Sequence, residues 1–248
     1  MELSASTLIV AGVALSLGGF TKGVLGVGLP MVTLPVFSTF APIPDAVALT
    51  YIPILAANLY QALAGGHFAG AIRRFWPMLA ATIVAIPVGS FALVRLDAGT
   101  VSILMGGAVA VFAVASLIKP TMRITPRWEG PASIGAGALS GFTGGMTLIF
   151  GPPVIMLLVA LRMKKEEFIG AIGLIYLTQL IPAGFSLAGM GVLRTEHIVP
   201  GLAALVPVGA ALLLGQWVRK KIDQERFRKV LLVSMVLVGL NLIRKGLF

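Results

Sequence analysis

GFTKGVLGVGLP, residues Gly19 to Pro30, places four glycines and a lysine inside an apolar run that covers residues 5–41. Glycine is the weakest helix former after proline, and a charge inside a bilayer is costly unless it faces protein, water or an opposite charge. Either the run lies outside a membrane or it is not a plain helix.

Composition removes the first option. Of 248 residues, 58% are hydrophobic and 11% charged, with a mean hydropathy of +1.00, against about 45–50% and about 25% in soluble domains. Apolar runs of spanning length recur from end to end, so the chain reads as an all-α polytopic membrane protein with residues 1–248 as one transmembrane domain. The N-terminus lacks the basic region of a signal peptide and carries Glu2, so it is expected to be retained. The absence of cysteine excludes disulfides, thiolate metal sites and cysteine nucleophiles. His67 and His197 are too far apart in sequence to suggest a metal site, and no metal or cofactor is expected. The net charge of +10 comes from basic residues in short connections. With no nucleic-acid module present, anionic lipid headgroups are the expected partners, above all for QWVRKKIDQERFRK at 216–229.

Eight apolar blocks follow from charges, prolines and glycines: 5–41, 46–66, 75–94, 98–118, 131–161, 168–188, 197–217 and 229–244. The first and fifth, at 37 and 31 residues, would make straight helices of roughly 55 and 46 Å, longer than a hydrocarbon core of about 30 Å. These two also match. GFTKG at 19–23 corresponds to GFTGG at 141–145, and the same offset of 122 residues carries Pro30 to Pro152 and Asp45 to Glu167. The chain therefore reads as an internal duplication, with repeats at 1–120 and 131–248.

Charge tests how the repeats are oriented. If every block crossed once, Lys and Arg would divide ten to eight between the two sides. If blocks one and five each return to their side of origin, as a re-entrant hairpin or as two short passes, the division becomes fourteen to four. One side then holds Arg73, Arg74, Lys119, Arg123, Arg127, Arg162, Lys164, Lys165 and the 219–229 cluster, and the other Arg95, Arg194, Arg244 and Lys245. The positive-inside rule then puts both termini outside and makes the repeats inverted, each a broken glycine-rich segment plus three transmembrane helices.

A break in lipid is tolerable only where it faces protein or a wet cavity, so Gly19, Pro30, Gly141 and Pro152 are read as hinge or helix-break positions at a shared interior site. Half-helices starting there would aim backbone amides and positive dipole ends at an anion. The candidate ligand set is Thr21, Lys22, Gly23, Gly26 and Gly28 from the first segment, and Thr143, Gly144, Gly145 and Gly151 from the second. Asn58 and Gln61, one helical turn apart, and Tyr176 and Gln179, at the same spacing, would line it from the following helices. Plain alternatives exist for each: close helix packing for the glycines, snorkelling for Lys22, and interhelical hydrogen bonds for the polar side chains. No G-x-S-x-G elbow or Walker A motif occurs, and the acidic residues Asp45, Asp97, Glu166, Glu167 and Glu196 all fall in expected loops. An enzyme is not expected.

The glycine-rich GFTKGVLGVGLPMVTLP at 19–35, its counterpart GFTGGMTLIFGPPVIMLLVALRMKKEE at 141–167 and the pairing of two four-block halves resemble the sulfite exporter TauE/SafE family of membrane transporters. The resemblance implies a bacterial or archaeal cytoplasmic-membrane protein that moves sulfite, an organosulfonate or a related sulfur oxyanion by secondary transport. Its glycine-proline motifs fall on Gly19, Gly23, Gly26, Gly28, Pro30, Gly141, Gly145, Gly151 and Pro152. Leu29 and Pro30 interrupt what is often a longer glycine run, which leaves the ligand-facing amides open. An anion channel is the first alternative, and a membrane-embedded enzyme or assembly protein the second. Substrate, transport direction, coupling ion (protons are the candidate) and oligomeric state stay open.

Overall fold

A computed structural model of the chain describes residues 5–65, 68–117, 124–161, 165–219 and 221, with scattered helical positions from 233 to 247. His67, most of the 216–229 stretch and much of the eighth block lie outside the described residues. The fold is all-α among the described residues. Its helices are α1 (Ala5–Leu25), α2 (Leu29–Phe37), α3 (Ile43–Gly65), α4 (Phe68–Arg95), α5 (Ala98–Leu117), α6 (Pro126–Thr147), α7 (Gly151–Ala160), α8 (Lys165–Gly189), α9 (Ile198–Ala203) and α10 (Leu205–Arg219). Five stretches among the described residues are long and apolar enough to cross a bilayer: Thr7–Leu25, Ile43–Leu63, Ile72–Arg95, Ala171–Gly189 and Thr195–Arg219. This is a multi-pass membrane protein.

Both long blocks are broken, and at equivalent places. The first helix of each stops at Leu25 or Thr147 and the second starts at Leu29 or Gly151, so both boundaries keep the 122-residue offset. The partition is uneven, unlike a pair of short passes or a symmetrical hairpin. α1 has 21 residues and α2 only 9, so α1 is about 31 Å long and spans by itself. The short helix folds back: a Cβ on Gly18 would lie 3.1 Å from the Leu29 carbonyl and 3.0 Å from Thr33 Cγ2.

Other boundaries also move. Block seven is divided into a 3-10 turn at Thr195–His197, then α9 and α10, with Ala204 between the helices. Asp45 lies in the first turn of α3, and Glu166 and Glu167 in that of α8, not in loops. An acidic residue such as Asp45 there complements the positive end of the helix dipole. α6 begins at Pro126, so part of the stretch between the two expected repeats is helical.

Glycine then determines which helices touch. A Cβ on Gly19 would meet the Val208 carbonyl at 2.6 Å, and one on Gly23 would overlap the Leu212 carbonyl, so α1 packs backbone to backbone against α10. Gly137, Gly141 and Gly145 of α6 face Met78, Thr82 and Ile86 of α4 in the same way. Ascending numbers pair with ascending numbers in both cases, which makes each pair parallel. Thr82 Oγ1 also donates to the Gly137 carbonyl at 3.0 Å and Ser90 Oγ to the Gly145 carbonyl at 3.1 Å. α3 and α8 instead run antiparallel: Tyr51 donates to the Leu180 carbonyl at 3.0 Å, whereas Gly173 approaches Gln61 and Ala62. At the starting ends of α4 and α6, Arg74 Nε lies 2.6 Å from Glu129 Oε1.

Candidate functional site: the junction of the two breaks

Each break begins with a left-handed residue. Gly26 has φ 77° and Leu148 φ 58°, and the amide of each closes at 2.7 Å onto the carbonyl four residues back, Lys22 or Gly144. Glycine adopts this conformation freely, while an ordinary L-residue pays about 1–2 kcal/mol. Leu148 is 1% exposed and offsets that strain by burying its side chain.

Between the breaks lies a cavity of about 20 Å³, lined among others by Lys22, Gly28, Asn58, Ile149, Gly151 and Tyr176. Both segments thus contribute to one enclosed space. It has room for about one water.

Lys22 is 5% exposed. Its Nζ donates to Asn58 Oδ1 at 2.9 Å, Gln61 Oε1 at 2.8 Å and the Gly26 carbonyl at 3.3 Å. Asn58 is itself oriented by a bond from Nδ2 to the Ile54 carbonyl at 2.8 Å. No carboxylate pairs with Lys22 among the described residues, so the ammonium is hydrogen-bonded but not neutralised. That resolves the snorkelling alternative: its head group is held inside by the protein.

The second break is held differently. Ser140 Oγ donates to the Phe150 carbonyl at 2.8 Å, Thr143 Oγ1 to the Ile149 carbonyl at 3.1 Å, and the Ile149 amide to Thr147 Oγ1 at 3.2 Å. Thr143 therefore staples the break and does not line the cavity. Gly144, the counterpart of Lys22, packs against the Phe150 ring so closely that a Cβ would overlap it. Phe150 in turn is the counterpart of Gly28. One half pairs a long side chain with glycine, and the other pairs glycine with a long side chain.

Of the remaining candidates, Pro30 also lines the cavity, while Gly19, Gly23, Gly141 and Gly145 make the helix contacts already described. Thr21 is buried outside the cavity lining. Gln61 reaches the site through Lys22, and Gln179 turns to Thr82 Oγ1 of α4 at 3.2 Å. Tyr176 is 7% exposed, and its buried hydroxyl has no partner among the described residues. Pro152 and Pro153 remove two of the four orphan amides at the start of α7, and Pro30 removes one from α2, so the first segment offers the richer N-terminus. Leu148, Ile149 and Phe150 did not stand out in the sequence. Carrying Gly26, Val27 and Gly28 forward by the repeat offset would have found them.

A larger cavity, about 340 Å³, lies where Asp45, Leu96, Val101 and Arg194 meet. Neither break lines it, and the Arg194 guanidinium is tied to the Gly191 carbonyl and Glu196. Among the described residues no group of three or more His, Cys, Asp or Glu could hold a metal.

The family model for the sulfite exporter TauE/SafE matches residues 10–242. The chain belongs to the sulfite exporter TauE/SafE family. The match runs from within α1 to beyond α10 and contains both breaks, so TauE/SafE membership covers the whole candidate site. The searches of curated proteins and of solved structures each returned no match. The family is named for the export of sulfite, a small anion.

Proposed function

We propose that this TauE/SafE protein is a secondary transporter for sulfite, a short organosulfonate or a related sulfur oxyanion, working by alternating access around the junction of its broken segments. The observation that carries this reading is Lys22, a buried lysine with no carboxylate partner among the described residues, at a cavity formed by both breaks. In the loaded state the anion supplies the missing negative charge. First-turn amides of α2 and the hydroxyl of Tyr176 then donate to it, and Asn58 and Gln61 hold Lys22 in place.

The transport cycle needs two equivalent halves that exchange roles, which is the use of inverted repeats. α3 and α8 begin 122 residues apart, the repeat offset, yet run antiparallel, and this favours inversion. The crossed packing of α1 on α10 and α6 on α4 favours it as well. Arg74 beside Glu129 groups the α3–α4 and α5–α6 connections at one end, as the fourteen-to-four charge division requires for a cytoplasmic face with both termini outside. On that face Lys221 Nζ sits 3.9 Å from the centre of the Trp217 ring, a pairing suited to the headgroup layer.

Proteoliposome flux separates this reading from an anion channel. A transporter gives saturable uptake of labelled sulfite or thiosulfate and counterflow when the lumen is preloaded. Flux that rises linearly with concentration and shows no counterflow identifies a channel. Single cysteines at positions 73 and 164, introduced into a chain with none, are expected to label from one and the same side, whereas eight single crossings would put them on opposite sides; opposite labelling rejects the inverted arrangement.

A further inference from the structure

We propose that Lys22 couples each anion to a proton moving in the same direction, an inference that rests on the anion-site reading above. Three oxygens surround Nζ, from Gly26, Asn58 and Gln61. An ammonium has three N–H donors for them, whereas a neutral amine has two and would turn its lone pair on the third oxygen. The cradle is therefore shaped for the protonated form, yet contains no negative charge.

The surrounding elements leave that charge unbalanced. α3 presents neutral amides, and its titratable Asp45, Tyr51 and Tyr60 point elsewhere: Asp45 lies in the first turn, Tyr51 bonds the Leu180 carbonyl and Tyr60 bonds Gln216. α8 brings Tyr176 to the cavity and keeps Lys165, Glu166 and Glu167 in its first turn. α6 has Arg127 and Glu129 at its start, and α10 has Arg219 at its end. α2 and α7 carry no titratable side chain.

The sign of the coupling follows. An arriving anion favours protonated Lys22, and protonated Lys22 favours the anion, by the same factor. A proton and an anion offset each other's charge at the site, so each strengthens the binding of the other. Water donates the proton to Nζ on the loading side and accepts it on the unloading side, with no redox change. With a monovalent anion the loaded site carries no more net charge than the empty, deprotonated one, so both forms avoid moving an unpaired charge through a low-dielectric interior. The gradients then set direction: an accumulated internal anion drives both species outward.

Proton uptake on binding tests this directly. Methanesulfonate and sulfate, both fully ionised at neutral pH, are added to purified protein in weak buffer with a pH indicator, from neutral to alkaline pH. The expected result is uptake approaching one proton per bound anion, with affinity falling about tenfold per pH unit once Lys22 is neutral in the free protein. In Lys22→Gln, with folding verified by size-exclusion chromatography, no uptake is expected. Binding without uptake across the whole range, binding with proton release, or undiminished uptake in Lys22→Gln overturns the coupling while leaving the anion site standing. If neither anion binds at any pH, the anion-site reading falls, and the coupling with it.

Discussion

Gly26 and Leu148 hold the same left-handed conformation at equivalent points of the two breaks, yet only one of them is glycine. Gly26→Ala is expected to destabilise the protein by about 1–2 kcal/mol through backbone strain. Space is available there, since the nearest atom to an added Cβ is Gln61 Nε2 at 3.4 Å. Thermal unfolding in detergent checks it: a lowered Tm fits, and an unchanged Tm does not.

Gly23→Ala and Gly145→Ala place a methyl group against the Leu212 and Ile86 carbonyls, backbone atoms that cannot rotate away. Each is expected to cost about 1–3 kcal/mol. They disturb different helix pairs, so the double variant should lose the sum, read as an additive fall in Tm.

Gly144→Ala collides with the Phe150 ring. Combining it with Phe150→Ala removes the colliding Cγ, Cδ1 and Cε1 atoms. The double variant should be more stable than the sum of the single losses, and a double-mutant cycle in thermal unfolding measures that coupling.

Tyr176 separates function from stability. Its hydroxyl has no partner among the described residues, so Tyr176→Phe should leave Tm essentially unchanged. A hydrogen bond to a charged ligand contributes about 1.5–3 kcal/mol, so anion affinity should fall about tenfold or more. Isothermal titration alongside thermal unfolding gives both numbers.

Asp97 sets a pH dependence outside the membrane. Thr100 donates to it through its hydroxyl at 2.6 Å and its amide at 2.9 Å, holding the carboxyl below the usual carboxylate range at the start of α5. A depressed value in the folded state contributes stability that is present above the unfolded pKa and is lost as pH falls through the folded one. The Tm gap between the parent and Asp97→Ala should therefore narrow on acidification.

Much of this was legible because the two long blocks match at a fixed offset. Length identified blocks one and five as broken, and the offset linking GFTKG to GFTGG also locates both helix boundaries. The uneven division of each block was not legible, since glycine marks where a helix can stop but not how long its neighbours run. Gly23 and Gly145 looked like ligand-binding positions because packing and binding glycines are the same residue in sequence. Only the opposing backbone distinguishes them. Leu148 escaped notice because its left-handed turn is held by burial, without a glycine to signal it. Asn58 and Gln61 stood out as polar residues one turn apart, but their common partner, Lys22, is 36 and 39 residues away in sequence.

The central claim is that Lys22, at the junction of the two breaks, provides the charge that binds the anion. Flux of sulfite, thiosulfate and short organosulfonates into proteoliposomes, with Lys22→Ala and Lys22→Gln beside the parent, tests it most directly. The account predicts saturable flux in the parent and its loss in both variants at equal reconstitution. Undiminished transport in both would contradict it.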